Sequence, residues 1–236
     1  LLALLVWTGC AAQLDWPEHR VDVSVALEPL DAGQPFRTDD GTQVQVEQLG
    51  ITVWSSTLER CDGSDSPSAS IWQHFEQLVV TRSAVAHGSG GPTRLAEPVV
   101  VQVAPSASDA LELGTLEPPS DRYCALSLLI KAADADARHL PEMSTMKGHS
   151  AIARGQTWLD GTWQPYDWTT TRSAEVTLTF EEPLELATDT DTATTLRVQL
   201  DPRSWFDGVD FSATTDEQQA TFLRNIREQP ALEVSR

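Results

Sequence analysis

The stretch RVDVSVALE, residues 20–28, alternates without a break: Val21, Val23, Val25 and Leu27 fall on one face, Asp22, Ser24 and Ala26 on the other. A period of two fits an extended strand with one face in a core, and it fits no helix. The pattern recurs along the chain. DDGTQVQVEQL opens on an Asp-Gly turn and then sets Val44, Val46 and Gln48 in step, and GITVWSS continues with Ile51 and Val53. RYCALSLLIKA alternates Cys124, Leu126, Leu128 and Ile130; AEVTLTF gives Val176, Leu178 and Phe180; TTLRVQLD gives Leu196, Val198 and Leu200. EPVVVQVAP is a run bounded by Pro98 and Pro105. Short strands with Gly, Pro and Asp punctuation predict an all-β fold, an antiparallel β-sandwich with Ig-like layers. One short helix is expected near the C-terminus. There TTDEQQATFLRNIREQ supplies a Thr cap, early acids, and Phe222, Leu223 and Ile226 on a shared face. Residues 61–70 and 86–93 read as loops, and IWQHFEQLVVT between them as a strand or one helical turn.

Charge narrows the partners. The chain carries 16 Lys+Arg against 35 Asp+Glu, a net −19, so its surface repels nucleic acid and anionic lipid, and nucleic acid is excluded as a partner. Excess acid otherwise serves solubility.

The first residues address location. Leu1 to Val6 are all apolar, too short a run to span a bilayer, which takes about 20 residues. They read as the tail of a signal-peptide h-region, followed by the small residues Thr8 and Gly9 and then Cys10. This resembles a bacterial lipobox, with Trp7 where the pattern prefers Leu. The expected organisation is a signal-peptide remnant over 1–9, a lipid-anchored tether over 10–19 acylated at Cys10, and a single β-sandwich domain over 20–236. The absence of Asp after Cys10 resembles sorting to the outer membrane, so the expected site is the envelope, facing the periplasm. Three cysteines leave one over in an exported protein. With Cys10 acylated, Cys61 and Cys124 remain as a pair; a bridge would close about 64 residues and contribute about 4 kcal/mol on the chain-entropy model.

No GxSxG, Walker loop, GxGxxG or HExxH occurs, and nothing supports catalysis, so a non-enzymatic role is expected. The densest cluster of soft ligands is HLPEMSTMKGHS, residues 139–150, which holds both methionines. Met143, Met146 and His149 follow one another at intervals of three, with His139 upstream. Thioethers with imidazoles suit Cu(I), so copper is the expected cofactor if a metal binds here. The structural alternative is that Met143 and Met146 fill a gap in the core. Pro141 and Gly148 point to a loop. Eight tryptophans form the second feature. TWLDGTWQPYDW carries Trp158, Trp163 and Trp168 around an Asp160-Gly161 turn, which predicts a hairpin. The three rings are either cross-strand packing or a platform for glycan or protein contact. Trp72 and His74, two apart, share a face if that segment is a strand, making His74 a further candidate ligand. The acidic loops at Asp62/Asp65 and Asp189/Asp191 lack the Gly and bidentate Glu of an EF-hand and read as solvated turns.

The order of these segments has a precedent. FRTDDGTQVQVEQLGITVWSSTLERC, then LELGTLEPPSDRYCALSLLIKAAD, then a Met/Trp-bearing stretch and TLRVQLDPRSWFDGVDF resembles the MbnP-like family of bacterial copper-associated periplasmic proteins and lipoproteins, over most of residues 36–211. The resemblance implies a β-sandwich with a surface copper site, histidine and modified-tryptophan ligands, and a di-haem peroxidase-like partner. Where members carry GMxWxW this chain has GQTWLDGTW, so Trp158 is the match, with His74 beside it in the implied site; four disulfide cysteines are reduced to two. Two functions are therefore expected to compete: copper binding through Met, His and Trp side chains, or a metal-free binding or adhesion module of the envelope working through a Trp-rich surface.

Overall fold

The computed structural model describes residues 19–31, 33–61, 90–103, 110–187 and 193–235. Cys10, Trp72, His74 and the acidic loops at Asp62/Asp65 and Asp189/Asp191 lie outside the described residues, as does nearly all of the tether.

Among the described residues twelve strands form two sheets around the main hydrophobic cluster. The smaller sheet has the order β12-β11-β1-β6, from β1 (Arg20–Leu27), β6 (Leu111–Leu116), β11 (Ala193–Leu200) and β12 (Ala231–Ser235). Val21, Val23 and Val25 are all 1% exposed or less, so the alternation reads the core face of β1 as expected. The pairing of β1 with β11 is parallel, with Arg20 opposite Ala193 and Leu27 opposite Leu200; the other ladders are antiparallel.

The larger sheet is organised by β3 (Gln43–Arg60). It pairs with β8 (Ala151–Leu159) over Val44–Ile51 and with β7 (Arg122–Ile130) over Val53–Arg60. It also pairs with β2 (Pro35–Arg37), β5 (Val99–Gln102) and β4 (Arg94–Leu95), at Gln43–Gln45, Gly50–Val53 and Ser56–Thr57. A residue has one partner per edge, so β8 and β7 lie end to end along one edge and β2, β5 and β4 along the other. Beyond them β9 (Thr162–Thr170) pairs with β8 and β10 (Ala174–Glu185) with β7.

Cys61 and Cys124 form a disulfide, with Cα atoms 4.8 Å apart, where β3 ends beside β7; the Cys61 N–H donates to the Arg122 carbonyl at 3.0 Å. The expected helix is α1 (Thr215–Glu228). Thr214 accepts from the Glu217 N–H while the Glu217 carboxylate reaches back to the Thr214 N–H, which satisfies two of the donors a helix start leaves open. Phe222 and Ile226 then join Trp205 and Phe206 in the core. Among the described residues, no helix is long and apolar enough to cross a membrane.

Candidate functional site

On β3 and β8 the inward positions are Val44, Val46, Thr157 and Gly155, all buried. Their neighbours Gln43, Gln45, Gln48, Arg154, Gln156 and Trp158 therefore stand on the outer face of the larger sheet. So do Gly50, Thr52 and Ile152 further along, because the side-chain period is two.

The segment 139–150 lies on that outer face. Its Pro141–Met146 part is a short 3₁₀ helix rather than the expected loop, interrupted at Met143, where φ is −137°. The segment is tied down by Thr52, whose N–H donates to the Ser150 carbonyl at 2.9 Å and whose hydroxyl donates to the His149 carbonyl at 3.3 Å. Met143 and Met146 are 2% and 0% exposed and cluster with Val100, Ala133, Ala137, Leu140 and Ile152. The Met143 thioether occupies the space over Gly50: a Cβ there would stand 2.6 Å from its sulfur. An unbranched, polarisable side chain suits such an irregular gap. Their placement therefore matches core packing, and neither thioether is open to a metal from solvent. His139 sits at the surface with a φ of 59° and its imidazole 4.0 Å from the Glu142 carboxylate. His149 is half-buried, and its N–H donates to the Met146 carbonyl at 2.8 Å. No group of three or more His, Cys, Asp or Glu that could hold a metal occurs among the described residues. With both thioethers buried and His139 at the surface, the segment's geometry favours packing over a soft-metal site. The packing role leads to a prediction: Met143→Leu/Met146→Leu should change the unfolding free energy by less than about 1.5 kcal/mol per site in urea denaturation.

Among the described residues nothing covers the outer face beyond this lid, and Trp158 and Trp163 occupy its far end. The β8–β9 hairpin turns at Asp160-Gly161, with φ values of 49° and 81°. Both are left-handed, as a two-residue turn matching strand twist requires. Leu159 closes it opposite Thr162, and the next pair out is Trp158 opposite Trp163. Their rings meet edge to face with centroids 5.4 Å apart, and Trp158 is 41% exposed.

Trp168 does not share this surface, which corrects the expected three-ring platform. It lies five residues beyond Trp163, an odd step, so the strand period sends it inward. There it is 3% exposed, stacked on Phe211, with its indole N–H donating to the Gln218 side-chain Oε1 at 2.8 Å. Tyr166 shares that inner face; its hydroxyl, 3.3 Å from the Gln45 carbonyl, crosses over Gly155. Burial, and then the charge of Glu47, push the Tyr166 hydroxyl well above the usual phenol range, so it remains a neutral donor.

Register carries the outer face across four strands. Gln156 pairs with Pro165 on one side and Gln45 on the other, and Gln45 pairs with Pro35. Gln43, next to the Val44–Thr157 pair, stands level with Trp158 and pairs with Arg37. Arg154 binds Asp167 at 2.8 Å and Gln48 at 3.1 Å, and Gln48 donates to Thr145 at 3.1 Å, joining the open face to the lid. Of the glutamines the alternation placed Gln48 alone, in step with Val44 and Val46; the bulge between Val46 and Gln48 turns it to the outer face instead. The signal available was QVQVEQ, where glutamine alternates with buried valine.

Two cavities flank these elements. One of about 190 Å³ opens at the β9 edge beside Gln164, Asp167 and the start of α1. The other, of about 470 Å³, is crossed by Arg138, which pairs with Glu97 at 3.2 Å and donates to the Glu112 and Leu113 carbonyls.

No known family profile matches the chain, and no curated protein matches it. Among solved structures it is similar to MbnP from Methylosinus trichosporium, at 10% sequence identity and a TM-score of 0.43, over 92% of this chain and 98% of that chain.

Proposed function

We propose that the chain is a non-catalytic binding module of the bacterial cell envelope, anchored through acylated Cys10 at the periplasmic side of the outer membrane. Its contact surface is the open outer face centred on Trp158 and Trp163. The edge-to-face ring pair at the hairpin tip, with Trp158 41% exposed and Trp163 half-buried, carries this reading, since tryptophans are enriched among the residues that dominate binding. Export is supported by the Cys61–Cys124 disulfide, because such bonds persist in oxidising compartments. The net charge of −19 works against adsorption to anionic membranes, which leaves attachment to the lipid anchor.

The test is co-sedimentation with envelope fragments of a Gram-negative bacterium. The unaltered chain should pellet with them. Trp158→Ala/Trp163→Ala should bind at least about tenfold more weakly, the scale of a lost aromatic hot spot, while unfolding at nearly the same temperature. Equal pelleting of the variant would remove the proposal.

A second reading follows the family resemblance: copper held with the participation of His74 and Trp158, in the service of a di-haem peroxidase-like partner. The accessible Trp158 indole favours it. His74→Ala and Trp158→Ala should then each weaken Cu(I) binding, and unchanged titration curves would dispose of it.

A further inference from the structure

Resting on the contact surface proposed above, we infer that its ligand is an uncharged polysaccharide, laid across the indoles and a ladder of glutamine amides. The four strands β9, β8, β3 and β2 span about 14 Å at the ordinary strand spacing, an extended platform rather than a cleft. One end offers the Trp158–Trp163 corner, which suits the apolar C–H faces of sugar rings. The rest offers amides. Among the described residues the Gln43 and Gln156 side chains have no hydrogen-bond partner, although both are half-buried on a rigid sheet. A primary amide donates and accepts in one plane, as a sugar hydroxyl also does, whereas a carboxylate only accepts and an ammonium only donates.

Charge decides between a glycan and a protein. A protein drawn to a chain of net −19 is basic and needs carboxylates to meet it. Of the outer-facing residues on these strands Asp167 is committed to Arg154 at 2.8 Å, and the exposed Arg37 beside Gln43 is a cation, so the face offers a basic protein no free carboxylate. A face of amides and indoles without a free carboxylate, on an acidic molecule, matches an uncharged ligand.

The experiment uses the full chain and envelope fragments in three forms: untreated, protease-digested, and stripped of neutral glycan by periodate cleavage of its vicinal diols. Binding should survive protease and be lost on glycan removal. It should also persist in about 1 M salt, where charges are screened beyond about 3 Å. Gln43→Ala/Gln156→Ala, which keeps both tryptophans, should bind about tenfold more weakly, the scale of two neutral hydrogen bonds. Binding that survives glycan removal, or that is lost to protease or salt, overturns the glycan. The surface reading still stands in that case if Trp158→Ala/Trp163→Ala loses binding; if that variant binds normally, the surface itself is wrong.

Discussion

Replacing Cys61 and Cys124 by alanine is expected to lower the unfolding free energy by about 4 kcal/mol, on the chain-entropy model for a closed loop of this length. The two residues are 63 apart in sequence, so the bridge removes a large share of the open chain's freedom. In the folded state it joins the end of β3 to β7, beside the Cys61–Arg122 hydrogen bond. That is where the spine of the larger sheet would otherwise fray. A loss of that size is a large fraction of the 5–15 kcal/mol typical of a domain. Urea titrations of the unaltered and double-alanine proteins measure it, and the unaltered protein in strong reductant should fall to the same midpoint. Coincident curves with and without the cysteines would refute the expectation.

Gly155→Ala is expected to destabilise by about 3 kcal/mol, at the upper end for overpacked cores. A Cβ at this position would stand 2.0 Å from the Gln45 carbonyl oxygen and 2.7 Å from the Tyr166 hydroxyl. The first obstacle is backbone in a paired strand and cannot swing aside. Gln45 and Gly155 flank the bulge between Val46 and Gln48, so relief there shifts the register of the whole outer face. Gly161→Ala is the contrast: φ is +81° but nothing lies within 4 Å, so only backbone strain of about 1 kcal/mol is expected. Equal midpoints for the two alanine variants would show that the close approach at Gly155 does not matter. Binding to envelope fragments should fall further in Gly155→Ala than its lost stability accounts for, because the platform is built on that register.

Much of the fold was legible in the alternation. β1, β3, β7, β10 and β11 contain the runs read as strands, the hairpin turns at Asp160-Gly161, and α1 begins at its Thr cap. Four strands were not legible, and of these β2 and β4, three and two residues long, are too short to show a period. LELGTL, now β6, is interrupted by Gly114 with a φ of 147°, beside a register shift opposite Val23 and Ser24. ALEVS, now β12, is exposed almost throughout and carries no core face to mark it. The site was less legible than the fold. Met143 and Met146 have the ligand spacing of a soft-metal loop, yet that spacing equally serves a lid whose buried side fills the space above Gly50. Trp168 could have been assigned from parity alone, once TWQPYDWTT was taken as one strand.

The chain by itself determined which residues face inward, because a strand's period of two is a local property that each segment displays without its neighbours. It also determined the Asp-Gly turn and the helix cap, which depend on a few adjacent residues. Only tertiary structure decided that β1 lies parallel to β11, that the 139–150 segment covers one end of the outer face, and that Arg37, Gln43, Gln156 and two tryptophans share the other end. The pairings that set the frame are distant in sequence: Arg20 with Ala193, and Val44 with Thr157. Pairing energy of that kind is set by register and packing across strands, and no single stretch of sequence contains it.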